Sequence, residues 1–260
     1  MLKEIKCFLL DMDGTIYIGE DLLPGAKEFL KNLRQKKLDY LFLTNNSSKH
    51  SAQYVEKLAQ FNIHINKKKI LTSGEATTIY LNRYYPRAKV FIVGTKYLEE
   101  EFLKSGIDLV DYDPDIVVLG FDTTLTYKKI WKLCDFIREG CPYIATHSDI
   151  NCPTETGFMP DIGSFIALIK TSTNRKPDVV IGKPNKHMIE AVIERTGCKK
   201  EEIAMVGDRL YTDIAMGREG IKTVLVLSGE TKKSDLSLSE IIPDIVVNDL
   251  RGIVSILKKE

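Results

Sequence analysis

The sequence predicts an α/β fold in which parallel sheets are joined by helical crossovers, and three observations predict it. Short apolar runs recur along the chain without the polar alternation of a sheet that has one wet face, the pattern of strands covered on both sides. Between them lie helical stripes with apolar residues three and four apart. The apolar runs also stop abruptly at acidic, hydroxyl or amide residues, and in open α/β sheets ligands collect beyond the carboxyl ends of the strands.

The first run, Ile5 to Leu10, shows this most sharply. It stops at Asp11-Met12-Asp13-Gly14-Thr15, two carboxylates one residue apart, where Gly14 permits a tight turn. Leu23-Pro24-Gly25 then opens a helix whose Ala26, Phe29, Leu30 and Leu33 share one stripe. The next strand, Leu38 to Leu43, ends in Thr44-Asn45-Asn46-Ser47-Ser48. Ser47 or Ser48 is placed to cap a helix that turns Ala52, Val55, Leu58 and Ala59 inward. Ile70 to Ser73 and a helix from Glu75 to Tyr84 make a third unit.

A second cycle of strands runs through Ala88 to Gly94, Asp115 to Gly120 and Tyr143 to Thr146, and closes with a helix from Ser164 to Lys170. Within it, Asn151 to Gly163 reads as a loop, dense in Pro, Gly and polar residues and long enough to suggest function. Thr171 to Pro177 reads as a link back. Val179 to Ile181, Ile203 to Val206 and Thr223 to Leu227 are further buried strands, followed by an edge strand at Ile245 to Val247 and a last helix from Leu250 to Lys258. The simplest organisation is a discontinuous core, residues 1–80 and 179–260, interrupted by a smaller α/β domain inserted over residues 81–178.

Composition narrows the function. With 260 residues the core is not limiting. Lys and Arg number 37 against 36 Asp and Glu, too even a balance for nucleic acid or an anionic membrane surface as the main partner. The five cysteines are scattered without Cys-x-x-Cys, and the four histidines show no metal-ligand spacing, so neither a disulfide framework nor a zinc site is indicated. The absence of a long apolar stretch points to a soluble, cytoplasmic chain.

Two later strands end as tellingly as the first two. One delivers Gly182-Lys183-Pro184, the other Gly207-Asp208-Arg209-Leu210-Tyr211-Thr212-Asp213. Carboxylates that converge repel one another unless a hard cation neutralises them, and Mg²⁺ prefers oxygen ligands. Asp11 and Asp208 therefore suggest a Mg²⁺ site. Lys183, Thr44 and the backbone amides after Asp11 and Thr44 suit the remaining oxygens of a phosphate. Asp and Gly after a strand also make ordinary turns and helix caps, but a carboxylate can itself attack phosphorus, which suits Asp11 to act as nucleophile, and Asp13 could give a proton to the leaving alkoxide and take one from water afterwards.

These four segments, in this order and at strand ends, resemble the four motifs of the haloacid dehalogenase (HAD) superfamily. Within it the chain resembles the NagD-like and p-nitrophenyl-phosphatase-like branch, in which a large α/β cap is inserted into a Rossmann-like core. The resemblance spans essentially the whole chain. It implies Asp11 as nucleophile and metal ligand, Asp13 as acid/base whose carbonyl also binds metal, and Thr44, Asn45 and Lys183 as phosphate ligands. Asp208 becomes a metal ligand and Asp213 a support of the metal site. The Asn151 to Gly163 loop resembles the cap segment that faces substrate, although Asp161 stands where the family often has Gly; His147 and Asp149, just before it, are further substrate candidates. The implied partner is a small phosphorylated metabolite, with homodimerisation through the cap a feature of the branch.

The activity expected is that of a Mg²⁺-dependent phosphatase with an aspartyl-phosphate intermediate. A phosphotransferase and a non-catalytic phospho-acceptor or phosphate-binding regulator are the alternatives. Against the regulator, an acid/base two residues from the nucleophile hastens turnover. A P-loop is excluded, since Pro177 and Pro184 occupy positions that need Gly and Ser or Thr.

Overall fold

The computed structural model describes residues 2–154 and 156–259. They form two compact units: one takes the chain up to Thr44, Val55–Leu71 and everything from Lys183 on, and the other takes Asn45–Tyr54 and Thr72–Gly182.

The first unit is built on a six-stranded sheet in the order Ile245–Val247, Lys222–Val226, Ile203–Gly207, Cys7–Leu10, Asp39–Thr44, Ile70–Thr72. Cys7–Leu10 is central and pairs in parallel on both sides, with Cys7 opposite Ile203 and Asp39. All four of its side chains are buried, which is why the run is apolar without alternation. Burying Leu9 and Leu10 alone contributes about 1.5–3 kcal/mol each. The register places Leu10 level with Val206 and Phe42, so the three neighbouring strands end within two residues of one another, and the Asp11 N–H still donates to Val206 O. The helix Ala26–Gln35 buries its predicted stripe of Ala26, Phe29, Leu30 and Leu33 and packs against Leu250–Lys259.

The second unit holds a five-stranded parallel sheet in the order Val179–Val180, Tyr143–Ala145, Ile116–Leu119, Lys89–Val93, Asp108–Leu109. Its core gathers Phe91, Val117, Leu119, Leu133, Ile137, Tyr143 and Ile169, covered by the helices Tyr127–Arg138 and Ile162–Thr173. Among the described residues no helix is long and apolar enough to cross a membrane.

Several local expectations change. Val179–Val180 joins the second sheet, because the ladder runs on through Ile181 N–H to Ala145 O at 3.1 Å and Gly182 N–H to Thr146 O at 2.8 Å. The helix Ser73–Tyr84 also belongs to the second unit, packed on Lys96–Lys104 with Thr72 Oγ1 donating to Glu101 Oε2 at 3.2 Å. The second unit therefore takes Thr72–Gly182, where residues 81–178 were expected, together with Asn45–Tyr54. The helix expected directly after Ser48 begins at Ser51; Ser47 Oγ is instead 2.9 Å from Thr146 Oγ1 and accepts Phe121 N–H at 2.9 Å.

The expected Asn151 to Gly163 loop is largely an antiparallel hairpin, Asn151–Thr154 with Gly157–Pro160; Glu155 lies outside the described residues. Its second strand is exposed throughout, so no buried face imposes an apolar alternation, and Pro153 and Pro160 further disguise it.

Candidate functional site

Strand ends at the centre of the six-stranded sheet converge on Lys183. Its Nζ donates to Asp11 Oδ1 at 2.5 Å, to Asp213 Oδ1 at 2.7 Å and to the Leu43 carbonyl at 3.4 Å. Lys183 is 3% exposed and Asp213 is fully buried. Asp11 follows the central strand, its N–H donating to Val206 O at 3.0 Å. Asp213 is fixed from its other side, where Oδ2 accepts the Arg209 N–H at 3.1 Å.

Asp208, 2% exposed, follows the strand Ile203–Gly207. Its Oδ2 accepts the Glu230 N–H at 2.6 Å, whereas the buried Oδ1 has no hydrogen-bond partner among the described residues. Two glycines make room for this carboxylate. A Cβ on Gly14, whose φ is +91°, or on Gly229 would land on the Asp208 carboxyl group. No side chain fits at either position without displacing Asp208.

Carboxylate oxygens of Asp11, Asp208 and Asp213 all lie within 4.8 Å of one another, a spacing that can hold a metal ion. Three carboxylates against the single ammonium of Lys183 leave two negative charges in excess when all are ionised. Burial and this charge act together on Asp11, Asp208 and Lys183. Burial pushes Asp11 well above the usual carboxylate range; Lys183 opposes this while Asp213 and Asp208 add to it. Burial, reinforced by Asp213, lifts Asp208 to about 7 against the Glu230 N–H and Arg209. Burial works against the charge on Lys183, but Asp11 and Asp213 outweigh it and hold the ammonium above the ordinary lysine range. The excess charge and the unpartnered Asp208 Oδ1 both fit a divalent cation with oxygen ligands.

Asp13 is exposed at the turn, where it bridges to Tyr17 and the Gly14 N–H donates to Tyr17 O at 2.8 Å. Thr44 is buried at the end of its strand. The Asn45 side-chain amide donates to Asp149 Oδ1 at 3.0 Å.

His147 and Asp161 are both buried and bonded to each other, Nε2 to Oδ1, at 3.0 Å. Asp161 Oδ1 also accepts the Ile162 N–H at 2.6 Å and caps the helix Ile162–Thr173. Ligand atoms of His147, Asp149 and Asp161 also fall within 4.8 Å of one another. That cluster differs from the first, because its one ring nitrogen donor and the helix N–H already satisfy Asp161 Oδ1. Asp161 therefore has a structural role as a helix cap and as the partner of His147.

The haloacid dehalogenase-like hydrolase family matches residues 8–108, and a family described as HAD-hydrolase-like matches residues 180–253. An acid sugar phosphatase of Staphylococcus epidermidis is 34% identical over 260 residues, covering 99% of this chain and 100% of that protein. The chain belongs to the haloacid dehalogenase-like hydrolases. Solved members of that family share its fold closely. A 4-nitrophenylphosphatase from Thermotoga maritima superposes with a TM-score of 0.95 at 45% identity, covering 98% of each chain. NagD from E. coli K-12 superposes at 0.88 with 31% identity, covering 95% of this chain and 97% of that one.

The sequence reading missed the segment after Lys222–Val226. Gly229 and Glu230 sit against Asp208 and Ser228 Oγ donates to Gly14 O, yet they form no recognisable motif. The only local signal is Gly229, next to Ser228, directly beyond a buried strand.

Proposed function

We propose that this haloacid dehalogenase-like hydrolase is a Mg²⁺-dependent phosphatase of small phosphorylated metabolites that works through an aspartyl-phosphate on Asp11. The observation that carries the reading is the buried group of Asp11, Asp208 and Asp213 held against Lys183, with Asp13 exposed two residues beyond Asp11. The names of the relatives, acid sugar phosphatase and 4-nitrophenylphosphatase, support a phosphomonoester as substrate.

Asp11 and Asp208, with the carbonyl of Asp13, would hold Mg²⁺, and Asp213 would support the site by fixing Lys183. When bound, the cation supplies charge neutralisation for the phosphoryl oxygens and an anchor for the substrate. Lys183, the Thr44 hydroxyl and the Asn45 N–H take the remaining phosphate oxygens. The Asn45 side chain is engaged with Asp149, so its main-chain donor is assigned to this role.

In the first step an Asp11 carboxylate oxygen bonds to phosphorus as the bond to the ester oxygen breaks, and Asp13 passes its proton to the departing alkoxide. In the second, Asp13 takes a proton from water, whose oxygen bonds to phosphorus and displaces the Asp11 carboxylate. Inorganic phosphate leaves and both aspartates return to their starting states. Acid sugar phosphatase relatives make sugar phosphates the first class to assay.

Phosphate release from a panel of sugar phosphates, nucleotides and p-nitrophenyl phosphate, with Mg²⁺ or with EDTA, tests the proposal. Metal-dependent release that disappears in Asp11→Asn supports it. Release that survives in purified Asp11→Asn protein refutes the nucleophile.

A further inference from the structure

Asp208 can offer Oδ1 to a cation only if the carboxyl group is held in one orientation, and what holds it lies outside the strand-end motifs. This inference rests on the proposed metal-ligand role of Asp208. The Glu230 N–H donates to Asp208 Oδ2 at 2.6 Å, the Thr231 N–H donates to the Asp208 carbonyl at 3.2 Å, and Ser228 Oγ donates to Gly14 O at 3.1 Å. Those bonds orient Asp208 only as well as residues 228–231 are themselves fixed.

The Glu230 side chain ties that segment down. Its Oε1 accepts the Tyr211 hydroxyl at 2.8 Å, and its Oε2 lies 2.9 Å from Arg209 Nε. Arg209 and Tyr211 belong to the same stretch as Asp208. The contacts therefore close a ring, from Asp208 along the chain to Arg209, across to the Glu230 carboxylate, and back through the Glu230 N–H to Asp208 Oδ2.

Arg209 is itself only 15% exposed, so the group that Glu230 meets is nearly buried. We infer that Glu230 is a positioning residue, which through Arg209 and Tyr211 fixes Asp208 for metal binding.

Calorimetric titration of the folded, EDTA-treated and desalted protein with Mg²⁺ tests this, comparing wild type, Glu230→Ala, Glu230→Gln and Asp208→Asn. Partners that orient metal ligands typically change affinity by about 10–100-fold when removed. The expected result is a rise of that size in the Mg²⁺ dissociation constant for Glu230→Ala, with a smaller rise for Glu230→Gln, which keeps an acceptor for Tyr211. Asp208→Asn should lose binding more severely. Binding lost in Asp208→Asn but of wild-type strength in Glu230→Ala would overturn the positioning role alone, including where Glu230→Ala merely lowers the melting temperature. Unchanged binding in Asp208→Asn would overturn the metal-site reading and this inference with it.

Discussion

Lys183 Nζ lies 2.5 Å from Asp11 Oδ1, so the residue proposed as nucleophile is already ion-paired before any substrate arrives. A second bond, to Asp213 Oδ1 at 2.7 Å, makes Lys183 a cation directly bonded to both carboxylates. Breaking a buried pair by deleting one partner costs about 3–5 kcal/mol, because the other charge is left uncompensated. Lys183→Met should therefore lose stability of that order in EDTA, and Mg²⁺ should restore part of it. Urea denaturation of wild type and variant in both conditions measures this; equal stability in EDTA would show that the pair does not carry the neutralisation assigned to it.

Asp13 is exposed at the turn. Asp13→Asn should leave thermal stability within about 0.5 kcal/mol of wild type and slow turnover of alkyl phosphates by about 10²–10⁴-fold. The loss should be smaller with p-nitrophenyl phosphate, whose leaving group departs readily without a proton. Equal losses for both substrates would count against Asp13 as the acid.

Gly229 isolates the steric requirement at Asp208. Its φ lies outside the left-handed region that disfavours side chains, so the cost of Gly229→Ala is the collision of the new Cβ with the Asp208 carboxyl group. The variant should bind Mg²⁺ at least about tenfold more weakly, as expected when an oriented ligand is displaced. Calorimetry reads this directly, and wild-type affinity would mean that Asp208 can move aside without leaving the metal.

Asp161 offers a contrast between structural and substrate roles. Loss of a helix N-cap costs about 0.5–2 kcal/mol, and a buried polar partner left unsatisfied costs about 1–3 kcal/mol. Asp161→Ala removes both the cap on Ile162 and the partner of His147. A clear fall in melting temperature is expected; an unchanged melting temperature together with a raised KM would return Asp161 to the substrate.

These contrasts follow what the sequence made legible. Cys7–Leu10 and Ile203–Gly207 were readable because full burial leaves an apolar run, and Asp11 and Asp208 stood out because acids at such ends are costly without a purpose. The exposed hairpin around Phe158 and Met159 was not, since no core constrains its pattern. Asp161 carried a polar residue's usual ambiguity between cap and ligand, and its 2.6 Å bond to the Ile162 N–H, which shows the cap, is visible only in the fold. Glu230 was invisible because its bond to Asp208 uses a backbone N–H that every residue except proline possesses.

The central claim is that phosphorus becomes bonded to Asp11. Acyl phosphates are reduced by borohydride, which would convert a phosphorylated Asp11 to homoserine. Enzyme quenched during turnover, treated with borohydride and digested for mass spectrometry should carry that conversion at position 11. Absence of the product in enzyme shown to be turning over, or its appearance at another carboxylate, would contradict the assignment.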